Sequence, residues 1–363
     1  MNAPVRRLRA LDVFRGVTVA GMIVVNCPGS AAIYPAFDHA PWNGLTLADL
    51  VFPSFLVILG VSAALAHAAR RARGQSVGQI ERHAAARALG LFAFGLLVDA
   101  FVFREPGGGI RWLGVLQRIA LCSLATSAFL VIDRPRAEPW AAALLLLFYW
   151  WLLARHSAPG YRPGDLTPAG NLASWLDRRL MRGHMMTPVQ DPEGLLSTLP
   201  AFATALLGLV AGRRLLSARA DPAAAERLGA LGLGLAALGW AWSAAFPFNK
   251  HLWTSSYALT AGGLALAGLA ACLRAFGEQP PRAVAPLEAL GRHALAAYAL
   301  SGLAYGLLAH LPAPGAASLR ARLLAALFGA LAPRAASLAF AVSFAALSAL
   351  VARGGEFVLG RKT

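Results

Sequence analysis

Long apolar stretches recur along this chain, and they constrain its fold more than any other feature. Hydrophobic residues make up 58% of the sequence and charged residues only 14%, whereas about a quarter of the residues in a soluble domain are charged. Within a bilayer every backbone polar group must be bonded internally, and a helix achieves this within one segment. The sequence therefore predicts an all-α, polytopic integral membrane helical bundle, and we expect one transmembrane domain over residues 1–363.

The apolar stretches close to membrane length define ten predicted transmembrane helices. Their approximate positions are 12–27, 48–69, 84–103, 112–132, 139–154, 195–215, 228–247, 252–273, 293–311 and 335–352. Residues 316–332 form a further apolar stretch, but its short length and the two arginines near its start, Arg320 and Arg322, favour an interfacial helix. We expect this helix to lie on the outer surface.

The net charge of +16 comes almost wholly from arginines, which cluster in short loops. In a soluble protein this charge would suggest nucleic acid, but in these loops it indicates orientation and contact with lipid head groups, so we expect no nucleic-acid partner. Basic loops precede the first predicted helix, separate the second from the third and the sixth from the seventh, and follow the last. Both termini are therefore predicted to be cytoplasmic. The loop at 155–194 carries five arginines and opposes this orientation, because it would lie outside.

With this orientation, polar residues gather at the outer ends of the predicted helices. His39 lies in the first outer loop, in "DHAPWNG", and Asp49 follows at the mouth of the second helix. Arg118, in "GVLQRIAL", lies about 9 Å below the outer edge if its helix begins at Trp112. A lipid-facing arginine at that depth costs several kcal/mol, so we expect Arg118 to face the bundle interior.

Two further polar groups share this edge. Asp191 and Glu193 open the sixth predicted helix in "DPEGLLSTLPA", and Asn249 and Lys250 precede the eighth in "FPFNKHLW". Helical spacing predicts that the face of Asn249 continues through three residues of the eighth helix, which are Trp253, Ser256 and Thr260.

The cytoplasmic half of the first predicted helix is also polar. Asp12 and Arg15 begin it, and Asn26 follows eleven residues after Arg15, about 16 Å along the same face. Such a stripe would line a passage through the bundle towards His39.

Several of these residues also have simpler interpretations. Asp191 and Glu193 suit the start of a helix, and Asp12 and Arg15 are spaced to pair across one turn. A tryptophan at a membrane edge is typical of the aromatic belt, a lone loop histidine is usually solvated, and Asn43 with the following glycine is a turn signal. Arg118 is the residue for which a purely structural interpretation works least well.

We find no sequence signal for a metal site or for the commonest catalytic motifs. The chain has no HExxH, CxxC, P-loop or GxSxG motif. Its three cysteines, Cys27, Cys122 and Cys272, lack the spacing of a metal site or a disulfide framework. We therefore expect no metal cofactor.

Five motifs, in order, resemble the heparan-alpha-glucosaminide N-acetyltransferase family of transmembrane acyltransferases. They are "LDVFRGVTVAGMIVVN", "HAPWNGLTLADLVFPSFLVILGVS", "GVLQRIAL", "DPEGLLSTLPA" and "NKHLWTSSY". The resemblance implies that acetyl-CoA is the co-substrate, that it enters from the cytoplasm near Arg15, and that the acetyl group passes to an amino sugar or glycan on the periplasmic side. It also implies that His39 is catalytic, with Asn26 beside it, and that the protein is a homodimer in a bacterial inner membrane.

One position departs from the family pattern. In "GRHALAAY", near the ninth predicted helix, His293 stands where the family usually has the asparagine of a Gly-x-Asn-Ala run. The role of this position stays open, as does the acceptor, for which glucosamine, a muropeptide or glycan fragment, and a hydroxyl are all candidates. The loop at 155–194 is a candidate cover for the acceptor or a contact for lipid head groups.

The chemistry of acetyl transfer suits these residues independently. A histidine, with a reference pKa of about 6.5, is suited to take the proton of an acceptor that attacks an acetyl thioester near neutral pH. Asp38 or Asp49 would orient the ring of His39. The oxyanion would be stabilised by one of three residues, which are Asn26, Arg118 and Lys250. His39 would act as a general base in a ternary complex, which we favour, or carry the acetyl group itself.

We therefore assign catalysis to His39, Asn26 and Asp49. The expected contacts to acetyl-CoA are Asp12, Arg15, Arg118, Lys250 and Trp253. The expected contacts to the acceptor are Trp42, Asn43, Asp191, Glu193 and Asn249. The competing function is a small-solute or sugar transporter, whose helices would also carry polar stripes. The chain shows no inverted repeat and its polar groups gather at the outer edge, which favours the acyltransferase, and a purely structural scaffold would leave Arg118 and the His39 loop unexplained.

Overall fold

The structure is a computed structural model, and it describes residues 7–101, 109–218, 221, 223–277, 279–315 and 317–358. Apart from an isolated bridge between Ser157 and Asn171, these residues contain helices and loops and no strand, which confirms the predicted all-α fold. The α-helices are α1 Arg9–Asn26, α2 Val51–Ala72, α3 Val77–Phe101, α4 Val115–Ile132, α5 Glu138–Arg155, α6 Leu172–Leu180, α7 Thr198–Ser217, α8 Ala224–Trp242, α9 Ser255–Phe276, α10 Ala285–Arg292, α11 Ala294–His310, α12 Leu319–Phe328 and α13 Pro333–Val358.

Every stretch predicted to span the membrane contains a helix, with ends that differ by up to seven residues. Six of these helices are long and apolar enough to cross a membrane, and they are α2, α3, α4, α7, α9 and α13. Among the others, α1 carries the charged residues Arg9, Asp12 and Arg15, and α11 has only 17 residues. The count of ten spans stays a prediction.

The stretch at 316–332 folds as the short helix α12, which has ten residues. At 1.5 Å per residue it is about 15 Å long, roughly half the thickness of the hydrocarbon core. This length agrees with an interfacial helix and excludes α12 as an eleventh span. Its placement on the outer surface stays a prediction.

Contacts within the chain group it into two compact units. The first unit comprises Met1–Arg7, Ala40–Leu45 and Pro53–Ala267, and the second comprises Leu8–His39, Thr46–Phe52 and Gly268–Thr363. The expectation of one transmembrane domain over the whole chain stays a prediction. Candidate functional residues occur in both units.

In the second unit, α1 packs on α10 and α13, and α10 also packs on α13. The contact between α1 and α10 depends on two glycines. A Cβ atom on Gly16 would collide with the carbonyl oxygen of Leu287, and one on Gly291 would collide with that of Asp12. The absence of side chains at these two positions therefore lets the two helix backbones touch.

In the first unit, α4 packs on α3 and α7, and α5 packs on α7. Helices α2 and α7 also approach closely, because Gly60 faces the backbone of α7 and Gly208 faces the backbone of α2 at Val57. Small residues at helix crossings are the usual means of close packing in membrane bundles. This packing places the first turn of α4, which carries Arg118, in the interior of the unit.

Candidate functional site

His39 forms a close pair with Asp49 in the second unit. The Nδ1 atom of His39 lies 2.8 Å from Oδ1 of Asp49, and 39% of the histidine side chain is exposed while Asp49 is fully buried. An ionised carboxylate only accepts hydrogen bonds, so Nδ1 carries the proton in this pair. In the neutral tautomer with its proton on Nδ1, Nε2 is an acceptor, which is the state that a general base requires.

A short loop structure holds this pair in place. The other carboxylate oxygen of Asp49 accepts a hydrogen bond from the backbone N–H of Thr46 at 3.1 Å, and the Thr46 hydroxyl lies 3.0 Å from the same oxygen. Asp38 contacts His39 differently, since its carboxylate accepts the backbone N–H of His39 at 2.9 Å. Of the two carboxylates proposed to orient the ring, Asp49 is therefore the one that bonds to the imidazole.

The polar residues of α1 lie in the same unit. Arg15 donates to the carboxylate of Asp12 at 2.8 Å, so the predicted pairing across one turn is confirmed, and Arg15 also lies 3.4 Å from the backbone oxygen of Gly291. Asn26 is the last residue of α1 and is exposed. The assignment of Asp12 and Arg15 to acetyl-CoA and of Asn26 to catalysis stays a prediction.

Arg118 is fully buried in the first unit, which confirms the expected interior position. Helix α4 begins at Val115, so the assumption of a helix from Trp112 is wrong, and Arg118 lies in the first turn with its N–H bonded to the oxygen of Gly114. Its Nη2 atom donates to the backbone oxygen of Gly194 at 3.1 Å and to the hydroxyl of Ser197 at 2.5 Å.

Two nitrogen atoms of Arg118 remain unsatisfied. Nε and Nη1 have no hydrogen-bond partner among the described residues, and the guanidinium lies over the ring of Trp253, 5.1 Å from its centroid. A buried donor without a partner costs about 1–3 kcal/mol, and more for a charged group. Such donors in a native structure call for an explanation, and one explanation is a partner that the protein itself does not supply.

Asp191 and Glu193 are bound by a single arginine, Arg111. Its Nε atom donates to Asp191 at 2.9 Å, and Nη2 contacts both Asp191 and Glu193. Burial alone would raise the pKa of Glu193, but the positive charges of Arg111, Arg118 and Lys250 together outweigh this and lower the pKa below its usual range. Burial likewise opposes the charged state of Arg111, yet Glu193 and Asp191 raise its pKa.

The simpler interpretation of Asp191 and Glu193 as the start of the sixth helix is wrong. Helix α7 begins at Thr198, with Ser197 as the residue before it. Asp191 instead accepts the backbone N–H groups of Met186 and Glu193, which fold the chain into a turn ahead of the helix. The carboxylates are therefore available to Arg111, and their role in acceptor binding stays a prediction.

The segment before α9 is a tight turn, so the predicted helical spacing from Asn249 to Trp253 is wrong. Asn249 accepts the N–H of Leu252 at 2.8 Å through its side chain, and Trp253 has a φ of 52°, a left-handed conformation that is rare for a bulky residue. Helix α9 begins at Ser255. Ser256 and Thr260 are buried on it, as residues of one face would be.

Trp42 and Asn43 join this turn within the first unit. Trp42 stacks on His251 with ring centroids 5.2 Å apart, and its indole N–H donates to the oxygen of Leu166 at 2.9 Å. The side-chain amide of Asn249 donates to that of Asn43 at 3.1 Å. The structure thus brings together three predicted acceptor contacts, while Lys250, a predicted acetyl-CoA contact, lies in the same turn.

Comparison with known proteins identifies the chain's relatives. The family model for the catalytic region of heparan-alpha-glucosaminide N-acetyltransferase matches residues 7–240. The chain belongs to this family. Two heparan-alpha-glucosaminide N-acetyltransferases, from Mus musculus and Homo sapiens, are each 29% identical to it, over 310 and 315 residues. These alignments cover 70% and 71% of this chain but 47% of each relative, so the chain spans about half the length of the curated relatives it matches.

The match to the heparan-alpha-glucosaminide N-acetyltransferase family includes the His39 loop, Arg118 and Glu193 and ends before Asn249. His293, where the sequence departs from the family pattern, ends α10. Its Nε2 atom lies 3.4 Å from the carboxylate of Glu356, which also pairs with Arg292. This position therefore belongs to a charged network of the second unit.

Sequence reasoning missed two residues of these clusters. Arg111 directly precedes the fourth predicted helix, and its partners lie 80 and 82 positions further along the chain, too far for spacing to reveal the contact. Thr46, which orients Asp49, is a common residue in a loop. The available signal was the spacing, because a threonine three positions before an aspartate can hydrogen-bond to its carboxylate.

Proposed function

We propose that this chain is a transmembrane acyltransferase that moves an acetyl group from acetyl-CoA to an amino sugar or related glycan. The donor would arrive from the cytoplasm and the acceptor from the outer side of a bacterial inner membrane, with both termini cytoplasmic. The observation that carries this proposal is the pair of an accessible His39 and a buried Asp49, 2.8 Å apart. Family membership supports the same reaction class.

His39 acts as the general base in this proposal. The amine nitrogen of the acceptor attacks the thioester carbon, the new C–N bond forms, and Nε2 of His39 takes the proton from nitrogen. The C–S bond then breaks, and CoA leaves as the thiolate, which regains a proton from the imidazolium. Asp49 stabilises the imidazolium and fixes the tautomer through Nδ1.

The remaining assignments are part of the same proposal. Asp12, Arg15, Arg118, Lys250 and Trp253 serve acetyl-CoA, and acetyl-CoA is a co-substrate and not a resident cofactor. Acceptor contacts come from Trp42, Asn43, Asp191, Glu193 and Asn249. Asn26 supports catalysis, the chain acts as a homodimer, and lipid head groups contact its basic loops.

The test uses the purified full chain in detergent and in proteoliposomes. With acetyl-CoA and glucosamine in detergent, we expect free thiol to appear together with N-acetylglucosamine, detected by mass spectrometry. In vesicles, product should form when acetyl-CoA and glucosamine are placed on opposite sides of the membrane. Uptake of unmodified sugar without thiol release would favour the transporter and contradict the acyltransferase.

A second measurement separates the two mechanisms. The wild-type protein is mixed with acetyl-CoA alone and digested, and the peptide that contains His39 is weighed. In the ternary mechanism this peptide stays unmodified, and its mass rises by one acetyl group only if the acetyl-histidine mechanism operates. The His83→Ala variant serves as a matched control, since His83 is an exposed histidine on α3.

A further inference from the structure

Two nitrogen atoms of Arg118 are buried hydrogen-bond donors that have no acceptor in the described part of the chain. A guanidinium has five N–H groups, and in this arginine the two on Nη2 are directed at Gly194 and Ser197. The N–H groups on Nε and Nη1 have no partner in the described part of the chain, although no part of the residue is exposed. These donors point to a ligand that supplies oxygen atoms.

The guanidinium is held in place from the other side by Trp253. The indole lies under Arg118, is itself fully buried, and donates its N–H to the hydroxyl of Thr204 at 3.2 Å. Thr204 is anchored in turn, because its hydroxyl lies 3.1 Å from the oxygen of Pro200 on the same helix. Thr204 and Trp253 therefore fix the plane in which the arginine presents its donors.

The surrounding charges decide which oxygen fits. Arg118 shares its region with further ionisable groups, which interact electrostatically with Asp99, Asp177 or Glu193. Four cations and four carboxylates take part, namely Arg111, Arg118, Arg178, Lys250, Asp99, Asp177, Asp191 and Glu193. Their formal charges balance, so a phosphate, sulfate or carboxylate would add unmatched negative charge in a buried place. A neutral carbonyl oxygen accepts hydrogen bonds without this cost.

We infer that Arg118 binds two carbonyl oxygens of the acyl donor's thioester and amide arm, one at Nε and one at Nη1. Trp253 and Thr204 are positioning residues that act through Arg118. This inference rests on the proposed acetyl transfer, because acetyl-CoA is the donor that carries such an arm. Binding of the arm differs from binding of the nucleotide, because the nucleotide would require contacts to phosphate.

The first experiment compares two donors, acetyl-CoA and S-acetylpantetheine, which keeps the arm and lacks the nucleotide. For Arg118→Lys we expect the donor KM to rise at least tenfold, by the same factor with both donors, with a smaller change in kcat. If the KM of Arg118→Lys rises for acetyl-CoA but not for S-acetylpantetheine, Arg118 binds the phosphates, and the inference is overturned. An unchanged KM for both donors would also overturn it.

The second experiment tests the positioning residues and stays informative if Arg118→Lys fails to fold. Thr204→Val keeps the shape but removes the acceptor of the Trp253 N–H, and we expect a three- to tenfold rise in donor KM. Thr204→Ser returns the hydroxyl and should recover most of this loss. Thr126→Val is the matched control, since it removes a buried hydroxyl that is bonded to the oxygen of Cys122 within α4.

Equal KM values for Thr204→Val and Thr126→Val would show that Thr204 acts only in packing and would contradict the inference. Failure of the proposed function is distinguishable from failure of this inference, because the wild-type protein would then show no acetyl transfer. In that case the same variants are compared by calorimetric binding of pantetheine. An affinity that is unaltered by Arg118→Lys and Thr204→Val would then overturn the inference separately.

Discussion

His39 and Arg118 belong to different units of the molecule and are held in opposite ways. The His39 side chain is 39% exposed and bonds to a buried carboxylate, whereas Arg118 is fully buried and faces an indole ring. A residue that exchanges protons with substrates needs access to them, while a residue that only donates hydrogen bonds is most effective where water is excluded. The contrast predicts that changes at His39 affect the rate, and that changes around Arg118 also affect stability.

The largest effect is expected for His39→Ala. Loss of the general base should lower the rate of acetyl transfer by a factor on the order of 10²–10⁴, while the melting temperature and the affinity for CoA change little because the ring is partly exposed. Thiol release, thermal unfolding and calorimetry measure these three quantities. A variant that retains near-normal turnover would remove His39 from the mechanism.

The opposite pattern is expected for Arg111→Met. This change leaves the buried carboxylates of Asp191 and Glu193 without their shared cation, which should cost about 3–5 kcal/mol of unfolding free energy. Glu193 has a lowered pKa in the folded state, so its contribution to stability is present above its unfolded pKa and is lost as the pH falls. The substitution should therefore lower the unfolding free energy by less at low pH than at pH 7, and chemical denaturation at both pH values measures this difference.

Asp49 and Asp38 offer a finer comparison within the His39 site. Asp49 bonds to the imidazole, whereas Asp38 bonds to the backbone N–H of His39. We expect Asp49→Asn to lower kcat by roughly 10–100-fold, since an amide neither fixes the tautomer securely nor stabilises the imidazolium. Asp38→Asn should lower kcat by less than threefold, and equal losses would show that the ring is oriented by something else.

The smallest effect is expected for Asp177→Asn. Burial raises the pKa of Asp177 to about 6, although the N–H of Leu195 opposes this. A raised folded-state pKa gives stability that is present below the unfolded pKa and lost as the pH rises through about 6. The asparagine should therefore raise the unfolding free energy by about 1 kcal/mol at pH 8 and by less at pH 5, and a lower melting temperature at pH 8 would contradict this.

The sequence predicted the helices well because apolar length is a local property. It also predicted the burial of Arg118, since the cost of exposing an arginine to lipid leaves few alternatives. It failed at helix starts, where the turn before α9 and the left-handed Trp253 depend on side-chain hydrogen bonds that spacing does not reveal. It also missed Arg111, because the partners of a buried ion pair can lie at any distance along the chain.

Helix α1 is synthesised long before the two helices that it packs on. It packs on α10 and α13, and Arg15 reaches the oxygen of Gly291, 276 positions further on. At 5–20 residues per second, α1 waits roughly 15–55 s for that partner. The ion pair between Asp12 and Arg15 is local, so it can form as soon as the helix does, and it neutralises both charges before the partner helices are made. A contact within one turn thus protects the biogenesis of a helix whose contact to Gly291 comes only 276 positions later in the chain.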